Sequence, residues 1–77
     1  MTPADELRAD VLHRLNQLGR GHAHRVSVIA RTGEPRPDAA VWKTLDDLWV
    51  DGAVDHLGGD RYRLPMLAQE QLQWEAG

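Results

Sequence analysis

Between Pro37 and Leu64 the chain changes its hydrophobic period once, and that change limits the folds open to it. Val41, Leu45, Leu48 and Trp49 recur at i, i+4, i+7 and i+8, the spacing that lines apolar side chains along one side of an α-helix. This stripe has to face a core, and Trp49 is expected to be buried with it. Gly52 follows the last periodic residue, where a left-handed cap costs a residue without Cβ nothing, so the helix should end near Asp51. Asp55–Leu57 and Arg61–Leu64 then flank Gly58-Gly59-Asp60, a short Gly-rich connection between β-prone segments that signals a hairpin. Helix and hairpin read as one unit.

The rest of the chain supplies little more than is needed to cover that unit. Seventy-seven residues allow one small domain, near the size at which a single core barely offsets chain entropy, so self-association would help it. Absence of cysteine excludes disulfides and thiolate metal sites. No apolar run approaches the ~20 residues that span a bilayer. Residues 1–6 lack the basic and apolar regions of a signal peptide, and together these features predict a cytoplasmic chain with no membrane partner. The formal charge of −3 is unevenly spread: six arginines face four acidic groups in residues 1–37, and three basic residues face eight acidic groups in residues 38–77.

Thr2-Pro3-Ala4-Asp5 opens a first helix, with a hydroxyl N-cap, proline at N1 and an acid in the first turn. Leu7, Val11, Leu15 and Leu18 give it an apolar face, with Arg8, Asp10, Arg14 and Gln17 elsewhere on its surface; Gly19 and Gly21 end it. Val26, Ile29 and Ala30 place a short second helix within His22–Arg31, although residues 26–29 also suit a strand. Residues 32–37 form a turn, since two prolines and a glycine cannot continue the helix. After the hairpin, Pro65 opens a short C-terminal helix in which Leu67, Gln71 and Trp74 share a face.

Three blocks carry a family likeness: Ala40-Val41-Trp42-Lys43-Thr44-Leu45-Asp46-Asp47-Leu48, the corner Gly52-Ala53-Val54, and the return strand Arg61-Tyr62-Arg63-Leu64. With the order helix, helix, turn, helix, two-stranded wing and closing helix, they resemble the winged helix-turn-helix fold of the PadR, MarR and ArsR groups of bacterial transcriptional regulators. The likeness covers residues 7–64 in layout and is sharpest over 40–64. It implies a mainly helical α+β domain over 1–64, three helices with a two-stranded wing, and a tail over 65–77 that could serve dimerisation. It also implies transcription regulation by binding double-stranded DNA sequence-specifically as a homodimer. The third helix would lie in the major groove and the 54–64 wing on the backbone or minor groove.

Residue chemistry narrows the contacts. Opposite the apolar stripe stand Ala39, Ala40, Lys43, Asp46, Asp47 and Val50, of which Lys43 alone suits a base edge or phosphate. Arg36 precedes the helix and Thr44 lies at the edge of its exposed side. Strand alternation separates Tyr62 and Leu64 from Arg61 and Arg63. The expected DNA contacts are therefore Arg36, Lys43, Thr44, Arg61 and Arg63, with Arg25 and Arg31 as backbone supports. The rival expectation is a protein-binding adaptor whose acidic third helix docks a partner, with Trp42, Asp46, Asp47 and Trp74 as interface residues. His13, His22, His24 and His56 do not complete a metal ligand set, and no cofactor is expected. Ser27, Thr32 and Thr44 lack a nucleophile–base–oxyanion arrangement, so the chain is not expected to be an enzyme. So small a domain leaves little room for a private ligand pocket of ~300 Å3, and ligand sensing would need a dimer interface.

Overall fold

The computed structural model describes residues 2–65, in which three helices and a three-stranded antiparallel sheet enclose one core. The order is α1 (Pro3–Leu18), β1 (His24–Arg25), α2 (Val26–Arg31), α3 (Asp38–Val50), β2 (Asp55–His56) and β3 (Arg61–Arg63). The sheet runs β1-β3-β2, so the last strand lies between the other two.

α1 opens on a reciprocal capping box. The Asp5 N–H donates to Thr2 Oγ1 at 3.2 Å, while the Thr2 N–H points back to Asp5 Oδ2 at 3.4 Å. Val11 and Leu15 are fully buried, and Leu7 and Leu18 pack against the core from its margin. Arg14, expected on the surface, is instead 3% exposed. Its Nη1 donates to the carbonyls of Ile29 and Ala30 at 3.2 and 2.9 Å, and its Nε donates to Asp10 at 2.7 Å. A guanidinium can enter a core only when its donors are used, and here they close the C-terminal end of α2.

α2 has six residues, too few for a helix to stand alone in water, and it has no side-chain N-cap. Burial of Val26, Ile29 and Ala30, together with the Arg14 bonds, holds it in place. The expected helix over His22–Arg31 is shortened from its start because His24 and Arg25 are strand. They pair with Tyr62 and Arg61, and the Val26 N–H donates to Asp60 O at 2.9 Å. A two-residue strand has no hydrophobic period, but it covers what would be the open edge of β3. The expected two-stranded hairpin is thus a three-stranded sheet.

α3 buries Val41, Thr44, Leu45 and Leu48. It ends in a Schellman motif: the Gly52 N–H donates to Trp49 O at 2.9 Å and the Ala53 N–H to Leu48 O at 2.8 Å. Gly52 sits at φ +80°, the left-handed geometry that aims the following Val54 back into the core. The chain reverses through Gly58 and Gly59, both at positive φ, and the Leu57 N–H donates to Arg61 O at 3.0 Å. The expected C-terminal helix, with Leu67, Gln71 and Trp74, lies outside the described residues.

Candidate nucleic-acid interface

Strand register decides which arginines meet. Arg25 of β1 lies directly opposite Arg61 of β3, and Arg63 follows two residues later, opposite Asp55 of β2. Successive strand residues point to opposite faces, so these three arginines share one face while His24, Tyr62 and His56 form the row on the other. Tyr62 and Leu64 are buried and Arg61 is exposed, as the alternation requires. Arg63 is held by Asp55 at 3.1 Å, and Arg25 stands 3.9 Å from Asp60. Arg61 makes no ion pair among the described residues. Cations directly opposite one another across a strand pair repel, and an anion laid between them relieves that cost.

The other expected contacts are scattered. Arg36 is tied to α1, its Nε donating to Asp10 Oδ2 at 2.6 Å. Arg31 folds back on its own helix, donating to Ser27 O at 3.1 Å. Lys43 is exposed, on the flank of α3 that faces the start of α1. Thr44 is unavailable: it is 7% exposed and its hydroxyl donates to Ala40 O at 2.9 Å. The reason is angular. The buried stripe is centred between Leu45 and Leu48, and Thr44 completes it on the α1 side while Trp49 falls outside it on the sheet side.

Trp49, expected in the core, is accordingly about half exposed; its indole meets the His56 ring edge-on, with centroids 4.9 Å apart. His56 stacks in turn on Tyr62 at 4.6 Å. The Tyr62 hydroxyl donates to Asp46, drawing that carboxylate to the sheet side of α3. Burial and the bond to Asp46 push the Tyr62 phenol up to about 12. Asp47 lies on the opposite flank, beside Arg8. Trp42 is exposed at the sheet-side shoulder. Trp74 lies outside the described residues.

Asp10 is the polar hub that sequence reasoning missed. It accepts from both Arg14 and Arg36; burial pulls its carboxyl up, but those bonds outweigh burial and hold it below its ordinary value. The Asp10–Arg14 spacing of four, which joins side chains on one helix face, was the signal available for it. Between α1 and α3 opens a cleft of about 330 Å3, lined by Ala4, Leu7, Arg8, Lys43, Thr44 and Asp47, larger than the size of the chain suggested.

Among the described residues no cluster of three metal-ligating side chains occurs, and no helix is long and apolar enough to cross a membrane. No family model matches the chain, and neither curated proteins nor solved structures give a match.

Proposed function

We propose that this chain is a small winged-helix DNA-binding regulator that grips the phosphate backbone chiefly through the hairpin side of its sheet. The observation that carries the reading is the Arg25–Arg61 pairing across β1 and β3, with Arg63 on the same face. Three guanidiniums on a short sheet form a compact phosphate site, and the ion pairs of two of them are surface pairs worth only about 0 to 1 kcal/mol each, cheap to exchange for phosphate. The element order, with α3 turning through Gly52 into the hairpin, supports the winged-helix assignment. Asp46 and Asp47 are drawn to the two flanks of α3, which leaves Ala39, Lys43 and the exposed Val50 as the residues that a groove would meet. A cytoplasmic homodimer would place two such sites on successive half-sites and offset the modest net charge of one copy.

Fluorescence anisotropy with labelled duplexes of unrelated sequence tests this. Arg61→Ala should weaken binding several-fold on every duplex, because a phosphate contact carries no sequence information. Lys43→Ala should also change the ranking of duplexes. Duplex affinity that Arg61→Ala leaves untouched would remove the sheet from the proposed interface.

A further inference from the structure

We infer that the sheet-facing flank of α3, with the start of the hairpin, is a docking surface for a basic, apolar segment of another protein. Two large apolar side chains stand out there, Trp42 at 43% exposure and Trp49 at 48%. They belong to one surface. Trp42 and Trp49 are two helical turns apart and differ by only ~20° around α3. Beneath them the rings of Trp49, His56 and Tyr62 form a ladder that ends in the Tyr62–Asp46 bond. Trp49 is therefore fixed before any partner arrives, and a rigid, half-exposed indole is a low-entropy anchor.

Charge selects the occupant. Asp38 and Asp46, on the same side of α3 as the two indoles, make no ion pair among the described residues, whereas Arg36 and Arg63 are engaged by Asp10 and Asp55. An aromatic surface flanked by carboxylates that no cation neutralises fits a partner with Lys or Arg beside its apolar side chains. A second copy laid face to face would bring the same carboxylates together. The chain's own residues 66–77 carry two glutamates and no basic residue, and so are repelled too. DNA is disfavoured on this flank for the same reason. The Tyr62–His56 row lies on the sheet face opposite the arginines, so this surface stands independently of the DNA reading.

The test is selection of a random 16-residue peptide library displayed on phage against the full chain, followed by binding of synthetic copies of the enriched peptides. Expected are peptides rich in Lys or Arg with Leu, Ile or aromatic residues at helical spacing, binding wild type at least tenfold more tightly than Trp42→Lys or Asp46→Lys. Trp42 is exposed and stands in the middle of α3, where lysine is a good helix former, so Trp42→Lys keeps the fold even if the loss of the Tyr62 bond in Asp46→Lys does not. Glu6→Lys, the same charge change as Asp46→Lys but on the exposed start of α1, should stay within twofold of wild type. No enrichment, peptides without basic excess, binding unchanged in Trp42→Lys, or equal loss in Glu6→Lys would each overturn the inference. So would a dimer that Trp42→Lys dissolves, which would make a second copy the occupant, or a tenfold gain in duplex DNA affinity in Trp42→Lys, which would put phosphate there.

Discussion

Tyr62 does more for this small core than its volume, because its hydroxyl leaves the core at the one point where α3 offers a carboxylate. Tyr62→Phe keeps the ring and loses the bond to Asp46, a cost of about 1–2 kcal/mol in chemical denaturation near neutral pH. The sign with pH follows. The folded phenol titrates at about 12 against 10.0 for the free group, so its contribution is whole below pH 10.0 and is lost as pH rises toward 12. Tyr62→Phe should remove that alkaline loss. Arg14→Met should cost about 3 kcal/mol, since the carbonyls of Ile29 and Ala30 lose a buried donor that methionine cannot replace. A shift under 0.5 kcal/mol would mean that water serves those carbonyls equally well. Single residues were also where the sequence misled most. Four apolar residues at helical spacing defined a stripe, but its centre lay ~35° round the helix from where Trp49 put it, enough to bury Thr44 and expose the indole. Spacing gives the period of a face; its direction is set by what packs on it.

At the scale of elements, local chemistry was readable wherever a cap or a stop spoke for itself. The Thr2 N-cap, the end of α1 at Gly19 and the corner at Gly52 all stand where the residues put them. The Gly52 corner can be checked directly. A Cβ added there meets nothing within 4 Å, so substitution cost is conformational alone. Gly52→Ala should lose about 1 kcal/mol and Gly52→Val more, with Gly52→Asn the mildest, because asparagine tolerates the left-handed region. Thermal melts falling in that order would show that backbone geometry, not packing, fixes the angle between α3 and the hairpin. β1 was not legible in the same way. Two residues make no pattern, and His24-Arg25 is strand only because Tyr62 and Arg61 lie beside it. That omission hid the main feature of the candidate site, since Arg25 could not be set opposite Arg61 without it.

Over the whole molecule, the charges sort into two populations. Most arginines are engaged by an acid, and of the carboxylates left over Asp38 and Asp46 stand beside the indoles of α3, which is why a small acidic chain can present an arginine face and an acidic aromatic face on opposite sides of one sheet. Asp10 joins α1 to the turn before α3 and carries an acid dependence. Its folded pKa lies below the free value of 3.8, so its contribution is present above that pH and fades as pH falls through the lower folded value. Asp10→Asn should flatten that part of an acid titration of stability. The central claim, that the sheet arginines grip phosphate, is tested most directly by the salt dependence of duplex binding. Each engaged phosphate contributes about −0.9 to the slope of log K against log salt, so three arginines predict a slope of about −2.7 per copy. The Arg25→Ala/Arg61→Ala/Arg63→Ala variant should bring that slope close to zero. Wild-type protein that binds no duplex at ~50 mM salt, or a triple variant that keeps the wild-type slope, would contradict the account.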